Sequence, residues 1–376
     1  MSKPRLLCAL ILLFTACYPT AFSTPTPLPV AVASPTVPPS PTATPEAPPA
    51  TPTSLIVSDG NPTSLPTERP SLAAPNSLRL TLPTPLPAAI SAWRPALYPV
   101  PWAPTPNDHF YFLRPIAADE INWPLADYRY GGKFFLNIVH AGVDIPAPIG
   151  TPVLAAGPGK VSWAGYGLFH GRETPDDPYG LAVLIRHDFG FNGQRLYTVY
   201  GHLDTVEVRK GQHVETGDAI GTSGQTGKVS GPHLHFEVRL GEGDFFTTRN
   251  PELWLAPPQG WGVLAGRLMN TGGGRLLGQR VTVRSLTNGQ SWQANSYGGD
   301  QVYSDEYYNE NLVIGDLPAG RYELSLNYLS KIFTSEIEIQ AGLVTYITFQ
   351  GYYGLTLTSP PLPEDAERLT NPDFSR

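Results

Sequence analysis

The chain has 376 residues, more than one ordinary domain holds, yet 42 are proline and only 15% are charged, which excludes a fully globular chain. The formal charge of −7 excludes the basic stripe expected of a nucleic-acid binder. The only two cysteines, Cys8 and Cys17, exclude a disulfide framework or thiolate metal site in the body of the protein.

The N-terminus reads MSKPRLLCALILLFTAC, with Lys3 and Arg5 ahead of an apolar run over residues 6–16. That run is shorter than the roughly 17–25 residues of a spanning helix and fits an export signal over residues 1–17. FTAC resembles the lipobox of bacterial lipoproteins, with Phe14 where leucine is usual. The resemblance implies a lipid on Cys17 and a membrane-tethered, extracytoplasmic protein; plain secretion is the alternative. Residues 18–107 are rich in Pro, Thr, Ser and Ala and hold more than half of the prolines. This composition predicts a disordered spacer, with a reach on the order of 200 Å in polyproline form.

From residue 108 to about 257 the text changes to short apolar runs broken by glycine and proline. TPVLAAG, GKVSWAG, LAVLIRH, LYTVYGHL and HLHFEVRL read as strands of an all-β domain. APPQGWG marks a boundary. Residues 261–357 carry RVTVRSL, RYELSLNYL, SEIEIQA and VTYITF, again with period-two alternation, and predict a small separate β-sandwich before a tail over 358–376.

Eight histidines punctuate the chain. His140 stands four residues before Asp144 in HAGVDIPAPIG. Gly142, Pro146 and Pro148 disfavour a helix, so an extended strand is expected to place both side chains on one face. His233 and His235 lie two apart in GPHLHFEVR. On a strand they share a face with Glu237 and Arg239, while Leu234, Phe236 and Val238 turn to the core. Two imidazoles, one carboxylate and an open fourth position are the makings of a catalytic zinc site. His202, in YTVYGHLD, and the spare member of the 233/235 pair suit general acid–base work near neutral pH.

HAGVDIPAPIGTPVLAAGPGKVSWAG followed by YTVYGHLDTVEVRKGQHVETGDAIGTSGQTGKVSGPHLHFEV resembles the lysostaphin-type, LytM-like zinc endopeptidases over about residues 137–239. The resemblance implies a β-sheet groove domain (108–257), one zinc ion on His140, Asp144 and His235, and His202 with His233 as the catalytic pair. It implies hydrolysis of peptidoglycan peptides in the cell envelope, with a non-catalytic wall-binding or amidase-activating module as the alternative. Relatives use a tyrosine upstream of the first ligand to steady an oxyanion, a role open to Tyr128 or Tyr130. The stretch 165–180 reads as an enlarged loop, with Asp176 and Asp177 as possible contacts for cationic substrate groups, an ordinary solvated loop being the alternative. His187, His213, His109 and His170 are given no role. The C-terminal region resembles carboxypeptidase-regulatory-like or prealbumin-like sandwiches, and Tyr303, Tyr307 and Tyr308 are weighed there as a wall-binding surface against core or loop positions. Nothing in the sequence speaks to oligomeric state.

Overall fold

The computed structural model describes residues 96–116, 124–133, 139–299 and 301–361, all within one compact unit. The expected export signal, Cys17 and most of the proline-rich tract lie outside the described residues. The described residues are all-β, with only three-residue 3-10 turns besides strands. None of their helices is long and apolar enough to cross a membrane.

The first sheet has nine strands. Its main path runs β1 (Val143–Pro146), β8 (His233–Leu240), β5 (Gln194–Val206), β4 (Leu181–Phe191), β3 (Gly159–Tyr166) and β6 (His213–Val214). Off this path, β7 (Ala219–Ser223) joins β5 to β2 (Pro152–Leu154), and β9 (Thr248–Arg249) adds to β8. Local sequence explains the hairpins. Asn192 and Gly193 both take positive φ between β4 and β5, the requirement of a tight two-residue turn whose twist suits its strands. On β8 the alternation is as expected: Leu234, Phe236 and Val238 are fully buried in the core. Each contributes about 1.5–3 kcal/mol by leaving water. The opposite, polar face of β8, carrying His233, His235, Glu237 and Arg239, is buried too. Charged groups survive there only because they pair with one another.

The remaining strands form two four-stranded sheets, β13–β10–β16–β17 and β12–β11–β14–β15. They comprise β10 (Trp261–Met269), β11 (Arg280–Ser285), β12 (Ser291–Asn295), β13 (Leu312–Pro318), β14 (Gly320–Tyr328), β15 (Lys331–Ile339), β16 (Val344–Gln350) and β17 (Gly354–Leu357). Strand β10 explains how they join the first sheet. Its Leu264 and Leu268 fill the sandwich interior, while Val263 and Ala265 belong to the core beneath the nine-stranded sheet. A strand apolar on both faces is the signature of one buried on both sides.

Residues 96–107, assigned by composition to the spacer, pack onto this body. The Tyr98 amide donates to Pro257 O, Trp102 Nε1 donates to Gly342 O at 2.7 Å, and the two rings stack at 4.5 Å. Proline content hid them; their aromatic side chains supply the buried surface.

Candidate metal centre

Strand pairing brings the centre together. In the β1–β8 register Asp144 lies opposite His235, and in the β5–β8 register Gly201 lies opposite His235. Directly opposed residues of an antiparallel pair face the same side. Asp144 therefore meets His235 across one strand gap, and the missing side chain of Gly201 leaves room for the His235 ring. A Cβ there would stand 3.4 Å from His235 Cβ.

His140 arrives differently from the sequence expectation. It sits in coil ahead of β1, not on a strand with Asp144. Its Nδ1–H donates to the Arg129 carbonyl at 3.1 Å, which turns Nε2 inward. His235 is fixed likewise: its Nε2–H donates to Glu237 at 2.9 Å, leaving Nδ1 inward. His140 Nε2, His235 Nδ1 and Asp144 Oδ1 then lie 2.9–3.0 Å from one another. The corners of such a triangle are about 1.7 Å from its centre, inside the roughly 2.0–2.2 Å of zinc–ligand bonds, so a single point can reach all three. In these tautomers all three atoms are lone-pair donors converging with no hydrogen between them, and the site demands a positive charge. Burial disfavours the His235 imidazolium, yet hydrogen bonds to Asp144 and Glu237 outweigh it and raise its pKa to about 9 in the absence of a metal. Burial alone would raise the Asp144 pKa, but His140 and His235 hold it well below the usual carboxylate range. The donor set suits one zinc ion, with orienting partners behind both imidazoles.

Glu237 is itself held. Burial would raise its pKa, but Arg239, His235 and Tyr179 bring it down to about 2. Arg239 Nε donates to Glu237 at 2.6 Å, and the Tyr179 hydroxyl donates to it at 2.5 Å. Arg239 also donates to the Tyr179 hydroxyl at 2.8 Å and to Gly243 O at 2.9 Å.

His202 and His233 flank the cluster, their rings 4.8 Å apart. His233 follows the β8 alternation. By alternation along β5, His202 would face the core; instead it takes φ 62° and its amide donates to Tyr179 O at 2.8 Å. This left-handed conformation is uncommon for a side-chain-bearing residue. It swings the ring to the metal side. His202 Nδ1–H donates to Thr226 O and His233 Nδ1–H donates to Gly231 O, both at 2.8 Å, so each neutral ring keeps Nε2 as an acceptor. Burial, then His235 and His233, depress His202 to about 3; burial likewise lowers His233. Both are neutral at physiological pH.

The cluster opens into a cavity of about 340 Å³ with Phe169, Tyr179, Phe245, Lys228 and Gln301 in its walls. A second recess of about 150 Å³ lies beyond Tyr128, whose hydroxyl is 3.2 Å from Ser230 Oγ. Both recesses reach Asp144 and His233, so the metal centre is approached from two sides.

Residues 138–246 match the family model for Peptidase family M23. This segment is an M23 peptidase domain. It is similar to the peptidoglycan DD-endopeptidase ShyA of Vibrio cholerae, at 43% identity over 100 residues, 26% of this chain and 20% of that protein. It is also similar to the DD-carboxypeptidase/endopeptidase Mpg of Neisseria meningitidis, at 40% identity over 128 residues, 34% of this chain and 26% of that protein. The chain thus spans about a fifth to a quarter of the length of these relatives. Among solved structures, the catalytic domain of lysostaphin from Staphylococcus simulans aligns at 28% identity over 35% of this chain and 85% of that one, with a TM-score of 0.27.

The M23 domain gathers all five residues picked out from the sequence, but reassigns others. Tyr130 is fully buried and bonded to Thr248, away from the cavity, whereas Tyr128 lines it. Asp177 is buried and accepts from the amides of Phe169, His170 and Tyr179, so it shapes the 165–180 loop and does not meet a substrate. His187 is a core residue between Pro158 O and Thr198 Oγ1, and His213 is an exposed partner of Asp188. Tyr307 and Tyr308 bond to Asn192 and Asp108, and the Tyr303 amide bonds to Tyr130, so this trio seals a seam and forms no free wall-binding face. Tyr179 and the Arg129 carbonyl were missed. Glu237 and Arg239 were placed on the histidine face of β8 by the alternation of HxHxExR, but were given no role.

Proposed function

We propose that this chain is an exported zinc endopeptidase that hydrolyses peptide bonds in peptidoglycan. The observation that carries this reading is the convergence of His140 Nε2, Asp144 Oδ1 and His235 Nδ1, within 3.0 Å of one another, at the floor of a two-sided cavity. It lies in an M23 domain similar to a peptidoglycan DD-endopeptidase and to a DD-carboxypeptidase/endopeptidase. In this reading His140, Asp144 and His235 hold the ion and leave a fourth position open. When bound, zinc supplies Lewis acidity towards a carbonyl and towards water. One of His202 and His233 takes a proton from the attacking water, the other orients the reacting groups or steadies the tetrahedral oxyanion, and the proton passes to the leaving amine as the C–N bond breaks. Lys228, the sole Lys or Arg among the described lining residues, offers a charge to a substrate carboxylate. The domain assignment is residues 108–257 for the peptidase and 261–357 for the sandwich, with a lipid on Cys17 as the tether.

The test is incubation of purified peptidoglycan with the full chain, with and without a chelator, reading new amine ends and zinc content. His202→Ala is expected to keep one zinc and to lose about 10²–10⁴-fold in rate. His140→Ala is expected to lose both metal and hydrolysis. Retained zinc and retained hydrolysis in His140→Ala reject the ligand assignment. A zinc-loaded wild-type chain that binds peptidoglycan without releasing amine ends rejects the enzymatic reading in favour of a wall-binding module.

A further inference from the structure

The segment 124–132 belongs to no sheet; its only regular structure is a 3-10 turn, Ala126–Tyr128. Such a segment has little of its own to hold it in place. Yet it carries much of the metal centre's support. The Arg129 carbonyl accepts from His140 Nδ1 at 3.1 Å, the Gly131 amide donates to His140 O at 2.8 Å, and the His140 amide donates to Gly132 O at 2.9 Å. Three hydrogen bonds thus register His140 against this segment, and one of them sets the ring tautomer.

The opposite side of the segment is gripped by the β-sandwich. The Tyr130 hydroxyl accepts from the Tyr303 amide at 2.8 Å and donates to Thr248 O at 3.0 Å, bridging the sandwich to β9 of the peptidase sheet. Its ring meets Tyr297 edge-on at 5.0 Å. Gly131, at φ +79°, lies so close that a Cβ there would stand 2.1 Å from Tyr297 Cβ. Asp127 Oδ1 accepts from Arg280 at 3.0 Å and from Asn295 at 2.9 Å. The same seam delivers Gln301 to the cavity wall, its carbonyl accepting from Thr248 Oγ1 at 3.4 Å.

We propose that the C-terminal β-sandwich is a working part of the metal centre: it clamps segment 124–132 so that the Arg129 carbonyl orients His140, with Tyr130 as the positioning residue. The physical ground is that an imidazole ligand binds metal well only when its second nitrogen is held by a fixed acceptor, and loss of such a partner costs about 10–100-fold in affinity. Here the acceptor is a backbone carbonyl: the buried Arg129 side chain is anchored by Glu252 of the peptidase region, and the sandwich holds the flanking Asp127, Tyr130 and Gly131. The clamp rests on the zinc reading of the centre.

The experiment compares full-length wild type with Tyr130→Phe, measuring the zinc dissociation constant by chelator competition and the visible spectrum of the cobalt-substituted protein. Tyr130→Phe is expected to weaken zinc about tenfold or more and to alter the cobalt spectrum. Arg280→Ala, at a half-exposed position, loosens Asp127 without touching a core and is expected to shift affinity in the same direction by a few-fold. Leu324→Ala, buried in the sandwich interior, lowers the melting temperature but is expected to leave affinity and spectrum unchanged. Unchanged zinc affinity and spectrum in both Tyr130→Phe and Arg280→Ala overturn the clamp while leaving the zinc reading intact. An equal affinity loss in Leu324→Ala also overturns it, because general destabilisation then accounts for the effect. A wild-type chain that binds no zinc overturns the metal reading and the clamp with it.

Discussion

Replacing Glu237 by glutamine separates metal tuning from folding. Three donors converge on this fully buried carboxylate: His235 Nε2 at 2.9 Å and the Tyr179 hydroxyl at 2.5 Å share one oxygen, and Arg239 Nε at 2.6 Å takes the other. An amide has one acceptor oxygen. If it serves His235 and Tyr179, its NH₂ faces the Arg239 N–H, donor against donor. The charge of Arg239, itself buried, is then uncompensated, and breaking such a pair costs about 3–5 kcal/mol of stability. Zinc affinity falls for a separate reason. The carboxylate no longer raises the basicity of His235, a loss of about 10–100-fold, or about 1.4–2.7 kcal/mol. Adding Arg239→Met removes the donor clash and the stray charge. The double variant is therefore expected to recover most of the stability, measured by urea unfolding with a chelator present, but not the zinc affinity, measured by chelator competition. If zinc affinity returns in step with stability, or never falls by more than about twofold in Glu237→Gln, the assignment of Glu237 as the tuning partner is wrong.

Two further outcomes follow from buried polar groups away from the ion. Burial lowers His187 to about 4 against about 6.5 unfolded, so the stability it contributes as a neutral ring is full above pH 6.5 and is lost as pH falls towards 4. The gap corresponds to about 3 kcal/mol, and His187→Gln is expected to flatten the unfolding free energy by about that much across this window; identical acid slopes would refute it. Asp177→Ala removes the acceptor for three amides of the 165–180 loop. It is expected to cost about 1–3 kcal/mol locally, to speed hydrogen exchange at Phe169 and Tyr179, and to leave zinc content unchanged; unaltered exchange there would contradict a loop-shaping role.

The amino-acid sequence by itself determined the β-strand character of both regions, the core face of β8 and the identity of the five residues at the centre. Alternation with period two is a local property, and imidazole and carboxylate are the only metal donors this cysteine-poor body offers. It was silent wherever contact crosses long sequence distances. The opposition of Asp144 and His235 depends on the β1–β8 register, the entry of His202 on a left-handed turn that alternation does not foresee, and the inward turn of His140 on a carbonyl eleven residues upstream. Composition also placed residues 96–107 in the spacer, because proline content says nothing of which aromatic side chains find a surface to cover. The seam between the M23 domain and the sandwich lay furthest out of reach. Its partners, such as Tyr130 with Tyr303 and His109 with Asp305, are separated by well over a hundred residues. Each reads in isolation as an ordinary tyrosine, histidine or carboxylate, and only chain packing turns them into buried pairs.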